Sequence, residues 1–399
     1  MRAAHIGYAR SAPGRAVLVV GGAPSLTIGI EEEYLLVDIE TRALSADPPK
    51  ELFQRCSDAL GDLVAHEFLK SQIEVNTPVA QSVPEAGRML ADLRSTIAEI
   101  AGAYDLAPIA ASTHPFSSWA DQAFTDMERY ITIAEDLQAV VRRLLICGMH
   151  VHVGIEDDEL RIDIMNQVRY FLPHLLALTT SSPFWQGRDT GLKSYRLSVW
   201  DEMPRTGLPE DFASFANFNK HIAALVGAGI IEDGTKLWWD IRPSARFPTL
   251  EMRIADVCTS IQDAASVAAL YACIIRMLWR LKTKNQRWRQ YSAMLIEENR
   301  WRAQRYGLDG GLVDFGRGEI VDYRILVDEI LDLVAEDAAA LGCETEIANI
   351  SQIFECGTSA HRQVGCFEAA KARGLAENEA LNAVVDQLIA ESRDVSAIR

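Results

Sequence analysis

The sequence predicts an α+β fold within one domain, and three observations predict it. Strand-like segments concentrate in the first two-thirds of the chain. Helical periodicity recurs throughout and dominates the last third. The strands do not alternate regularly with helices, which argues against a parallel doubly wound sheet. The 399 residues are 49% apolar and 24% charged, enough to build a sizeable core. No GxxxxGK[ST] loop occurs, and no GxGxxG opens a helix.

Residues 1–24 read as a flexible leader, because the apolar run AVLVV is too short for a signal sequence. Residues 25–399 read as the folded domain. LTIGIEEEYLLVDI (26–39) is β-rich and reads as a strand. FLKSQIEVNTPV (68–79) reads as a second, stopped at Thr-Pro. Residues 82–104 show helical periodicity, with Ser82 as cap and Pro84 in the first turn. APIAAST (107–113) reads as a short strand. Residues 121–145 read as a helix feeding the strand CGMHVHVGI (147–155), and 157–180 as another helix. A loop-rich stretch spans 181–209. WWDIRPSARFPTLEMRIADV (238–257) reads as two strands joined by a turn. A long amphipathic helix or helix pair covers about 260–306. The remainder is mostly helical, broken near GLDGGLVDFGRG and ECGTSAHRQVG.

The net charge is −17, which argues against nucleic acid or an anionic membrane as partner. The seven cysteines are scattered and form no CxxC pair. That pattern reads as free thiols in a reducing compartment, so a cytoplasmic protein is expected.

The chemistry-bearing residues stand inside apolar strands. Alternation puts His150 and His152 on one face, about 7 Å apart. Two imidazoles so placed can bind a metal or a phosphate, serve as acid and base, or simply sit half-exposed on a strand. In GIEEEY, Glu31 and Glu33 share a face and Glu32 points the other way. A solvated edge strand would tolerate this, but the flanking Ile28, Ile30, Leu35, Leu36 and Val37 imply burial, where carboxylates need partners. Glu74 lies in SQIEVNTP, and Glu251 shares a face with Arg253 in TLEMRIADV. Four segments bringing acids or imidazoles into a sheet suit hard divalent cations, which take oxygen ligands and tolerate one imidazole. Arg242, Arg246 and Arg253 fall within twelve positions. They either neutralise the acidic strands or share the charge of phosphates beside metal ions.

GIEEEY, IEVNTP, GMHVHVG, SSPFWQGRDTG with SYR, LEMRIADV and NRWRAQRYGL, with GTSAHRQ near the C-terminus, together resemble the second glutamate–cysteine ligase family, in its bacterial carboxylate–amine ligase branch. The resemblance implies a glutamine synthetase-like catalytic domain: a curved, mainly antiparallel sheet of about six strands flanked by helices, with a helical C-terminal region. It implies ATP as co-substrate, Mg²⁺ (or Mn²⁺), an acyl-phosphate intermediate, small-molecule substrates such as glutamate and cysteine, and a homodimer.

The resemblance also implies roles. Glu31, His150 and Glu251 resemble one metal's ligand set, and Glu33 and Glu74 those of a second metal nearer the acyl phosphate. Glu67 resembles an acid for a third ion. His152 is expected to touch ATP phosphate and Arg253 to face the transferred phosphoryl group, with Arg242 and Arg246 as further phosphate contacts. Arg253 and Glu33 are the catalytic expectations. Arg196 is expected at a substrate carboxylate, with Arg302 and Arg305 as further substrate contacts.

Three other readings compete. A phosphagen-type kinase shares the superfamily but lacks an HxH strand with paired acids. A zinc hydrolase could use His150 and His152, but this many carboxylates are too hard a set for zinc. A non-catalytic nucleotide-binding regulator would keep the scaffold without turnover.

Overall fold

A computed structural model describes residues 22–126, 138 and 140–398. Most of the expected leader, and about half of the helix expected over 121–145 (127–137 and 139), lie outside the described residues. At that helix's two ends the chain makes single 3₁₀ turns, Trp119–Asp121 and Val141–Arg143.

The main sheet has seven strands: β1 (Ile28–Asp38), β2 (Val64–His66), β3 (Gln72–Asn76), β4 (Leu106–Ile109), β5 (Met149–Gly154), β6 (Ile241–Pro243) and β7 (Thr249–Met252). The order is β6-β7-β5-β1-β3-β2, and every pairing is antiparallel. Strand β4 pairs with the far end of β1. Leu35 is opposite Gln72 of β3 and also opposite Ile109 of β4, so β4 lies on the β5 side of β1. The expected α+β class with an antiparallel sheet of about six strands is what the chain adopts. Strand β2 was not anticipated, because three residues, VAH, carry too little alternation to register.

Alternation in β1 separates two faces. Ile28, Ile30, Glu32 and Tyr34 are buried, whereas Gly29, Glu31 and Glu33 are partly open. The buried face is covered by the helix Val83–Gly102, which starts as expected: Pro84 sits in its first turn and Ser82 Oγ accepts from Glu85 N. Glu32 therefore points into the helix layer. There Arg94 holds both its oxygens, at 2.7 and 2.8 Å, and Tyr34 Oη donates to it at 2.6 Å. Arg94 also donates to the carbonyls of Cys258 and Thr259.

The expected helix pair is Ile261–Thr283 followed by Ala293–Tyr306. The first has the length and apolarity of a membrane-crossing helix, but here it is the core helix. It packs against Val83–Gly102 and against Tyr323–Leu341. All seven cysteines are free thiols.

Candidate active site

The sheet's open face is the floor of a cavity of about 770 Å³. Directly opposed residues in a ladder share a face. Register therefore carries one row of polar side chains across five strands. Arg242 is opposite Glu251, Glu251 opposite His152, His150 opposite Glu31, and Glu33 opposite Glu74. Segments that lie some 220 residues apart in sequence thus converge on one surface.

Two groups of acids form there. In the first, one ligand atom each from Glu31, His150 and Glu251 lies within 4.8 Å of the others. Glu31 meets both imidazoles, with its Oε2 3.0 Å from His150 Nδ1 and its Oε1 3.1 Å from His152 Nε2. Burial opposes ionisation of Glu31, but those two hydrogen bonds outweigh it and hold the carboxyl well below its usual range. Burial, reinforced by the Arg253 charge, pushes His150 down to about 4, so its ring is neutral and can act as a ligand. His152 goes the other way. Burial works against its proton, but the bond to Glu31 and the charge of Glu251 raise it. Glu251 is buried and ion-paired with Arg253 and, at 2.8 and 3.1 Å, with Arg242. Burial is outweighed there by the two guanidiniums, and Glu251 stays ionised.

The second group is Glu33, Glu67 and Glu74, again with ligand atoms within 4.8 Å. Burial, partly offset by the Arg196 charge and reinforced by Glu74, lifts Glu33 to about 7. Burial with Glu33 and Glu74 beside it lifts Glu67 well above the normal carboxylate range. A three-carboxylate cluster in which Glu33 and Glu67 resist ionisation is short of positive charge. A hard divalent cation supplies it, and three carboxylates are a suitable oxygen set for Mg²⁺ or Mn²⁺. The first group, with two carboxylates and one neutral imidazole, fits the same class of ion.

Both glycines of GMHVHVG have steric reasons. A Cβ on Gly154 would stand 2.3 Å from Ser25 Oγ and 2.5 Å from Thr27 Oγ1. A Cβ on Gly148 would stand 2.4 Å from Arg196 Nη2.

The structure brings Glu31, Glu33, Glu67, Glu74, His150, His152, Arg242, Arg246, Glu251 and Arg253 to the cavity wall. It does not bring the other three there. Arg196 is buried, with 2% of its surface exposed, beside Gly148 and over the Trp200 ring. Arg302 donates to the Gly311 carbonyl at 2.7 Å, and both it and Arg305 stack on Tyr306, outside the cavity lining. Helical spacing near a motif does not specify which way a helix faces. Cavity residues that sequence reasoning missed include Asn76, which donates to Glu74 Oε1 at 2.8 Å, and Thr249, whose Oγ1 is 2.9 Å from His152 Nδ1. Asn76 stands two residues beyond Glu74, so strand period alone would have placed it on this face.

Solved ligases share the fold of this antiparallel sheet. The chain superposes on a bifunctional glutathione synthetase from Pasteurella multocida with a TM-score of 0.64 at 15% identity, over 92% of this chain and 52% of that one. It superposes equally, at 0.64 and 14% identity, on glutamate–cysteine ligase from Francisella tularensis in complex with AMP, over 93% and 90%. The chain belongs to glutamate–cysteine ligase family 2, whose model matches residues 27–386. Relatives named "Putative glutamate--cysteine ligase 2" are 62% identical in Rhodospirillum rubrum (92% of this chain, 96% of the relative) and 53% identical in Jannaschia sp. (91% and 96%).

Proposed function

We propose that this ligase is ATP-dependent and joins the side-chain carboxylate of glutamate to an amine, with cysteine the first candidate, through an acyl phosphate. The observation that supports this best is the pairing of two acid clusters, rooted two residues apart on β1 at Glu31 and Glu33, with three arginines lining the same cavity.

A carboxylate is a poor electrophile, and amide formation requires activating it. Phosphoryl transfer onto its oxygen brings several anions together, so the site must supply positive charge where they meet. Glu31, His150 and Glu251 would hold one divalent ion, and Glu33, Glu67 and Glu74 a second. Bound there, Mg²⁺ or Mn²⁺ supplies Lewis-acid charge for phosphate oxygens. Arg253, Arg242 and Arg246 add fixed cations along the β6–β7 side, and His152 adds a donor. The neutral His150 ring is held by Glu31, which orients it toward a ligand role. The amine then attacks the acyl carbon, the bond from that carbon to the phosphate oxygen breaks, and phosphate leaves.

The test is ADP release over a panel of amino acids and amines, with Mg²⁺ present or chelated. Release that requires both an acid and an amine supports the ligase. Release without an amine indicates a kinase or ATPase, and silence over the whole panel indicates a nucleotide-binding protein without turnover.

A further inference from the structure

The helix Ala293–Tyr306, which carries the motif NRWRAQRYGL, adds no residue to the cavity lining, yet it buries the polar side chains of Arg300 and Gln304. Spaced four apart, the two stand on one helix face. That face grips the short helix Arg196–Trp200 at both ends. Toward its start, the Gln304 carbonyl accepts from Lys193 N at 2.9 Å and from Ser194 N at 3.1 Å, and Gln304 Nε2 donates to Ser198 Oγ at 2.7 Å. At its end, Arg300 donates to both oxygens of Asp201, at 2.7 and 2.8 Å. The same guanidinium donates to both oxygens of the buried Asp240, at 2.7 and 3.1 Å. One planar cation thus holds two carboxylates at once, a fork geometry that lysine does not offer.

Arg300 thereby joins two stretches of the cavity wall. Asp201 directly follows Trp200, and Asp240 stands two residues after Trp238; both indoles line the cavity. Trp200 Nε1 donates to the Trp238 carbonyl at 3.1 Å. Arg253 Cζ stands over the Trp200 ring, 5.9 Å from its centroid, within cation–π range. The Asp240 carbonyl accepts from Arg253 N at 2.7 Å and from Ile254 N at 3.0 Å. The Arg253 side chain has few polar restraints. It pairs with Glu251 and approaches His150 Nδ1 at 3.4 Å, while its buried Nε has no hydrogen-bond partner.

We propose that Arg300 is a positioning residue for Arg253. By tying Asp201 to Asp240 it seats the Trp200 indole against the Arg253 guanidinium. Through Asp240 it also holds the backbone from which Arg253 projects. Arg300 acts only through these neighbours, from outside the cavity. The inference rests on the ligase reading, in which Arg253 faces the transferred phosphoryl group. A guanidinium displaced by about 1 Å meets the developing charge less well, which lowers turnover more than ground-state binding.

The test combines fluorescence and kinetics on the full-length protein. Trp200 emission is isolated as the difference between each protein and its Trp200→Phe counterpart. Acrylamide quenching of that emission should rise in Arg300→Met and in Asp201→Ala, because the indole is no longer seated. In the assay with acid, amine and Mg²⁺, kcat for ADP release should fall about 10²-fold in Arg300→Met and less in Asp201→Ala, with KM for ATP nearly unchanged. Arg300→Lys should recover part of the loss, since a point charge holds two carboxylates less well than a fork. Combining either variant with Arg253→Met should cost no more than Arg253→Met alone. If Arg300→Met, which strands Asp240, does not fold, Asp201→Ala decides alone. Unchanged Trp200 quenching, or kinetic losses that add in the double variants, overturns the proposal. An active wild type with insensitive variants sinks this inference only. A wild type without ADP release that depends on acid and amine sinks the ligase reading, and the role of Arg253 with it.

Discussion

Glu31 on β1 stands directly opposite His150 on β5, and its carboxylate also reaches His152, two residues farther along the same strand. One acid thus gathers both imidazoles of the HxH pair and favours the proton on each, yet burial and the Arg253 charge lower His150 while His152 is raised.

Glu31→Gln should separate those effects. Without the carboxylate, burial dominates at His152, and its titration should move from above 6.5 to below it. NMR titration of the ring protons in metal-free protein checks this, and an unmoved His152 would show that Glu251 alone sets it.

Glu33→Gln should lower turnover on the order of 10²-fold or more, as loss of a preorganised charge-handling group does. The metal-free fold should not suffer. Burial raises Glu33 in the folded state to about 7, so above its unfolded value the ionised form costs stability, up to about 3 kcal/mol, and this cost disappears as pH falls below 4.5. Thermal melting at pH 8 should therefore show the variant equal to the wild type or more stable.

Divalent cation binding should release protons near pH 7, because Glu33 and Glu67 hold theirs until the ion arrives. Calorimetry of Mg²⁺ or Mn²⁺ binding in buffers of different ionisation heat measures the number released. A binding heat that does not depend on the buffer would contradict this.

His174 should make the protein acid-sensitive. It is 2% exposed, packs against Tyr170, Phe171 and Tyr323, and is pushed down to about 4 by burial. The unfolded chain takes up a proton near 6.5 that the folded chain refuses, so stability falls as pH drops from about 6.5 to 4. The loss is about 3 kcal/mol from this group. Denaturant melts of wild type and His174→Phe at pH 7 and pH 5 should show a smaller acid loss in the variant.

The Glu32–Arg94 pair locks the sheet to its helix layer. Arg94→Met strands a buried carboxylate and should cost about 3–5 kcal/mol, whereas Glu32→Met combined with Arg94→Met should recover most of it. Equilibrium unfolding of the single and double variants tests this, and activity should follow folded population rather than chemistry.

Much of this was legible in residue order. The alternation in GIEEEY separates Glu31 and Glu33 from Glu32, and CGMHVHVGI sets both histidines on one face, because a strand's side chains repeat every two residues whatever packs on them. The Ser82 cap and Pro84 marked a helix start for equally local reasons. Arg302 and Arg305 fall outside the cavity lining, which their spacing could not tell, because it describes a helix face but not what that face meets.

The sequence by itself determined the α+β class, the strand faces and the identity of the acids and imidazoles, since each follows from short-range periodicity. Only the tertiary structure decided that β7 pairs with β5 and β5 with β1, which puts Glu251 beside His152 and His150 beside Glu31. Only it decided that Arg196 is buried against Gly148, beside Glu33. The physical reason is that strand order and long-range side-chain approach depend on how distant segments pack, and no local repeat along the chain encodes that.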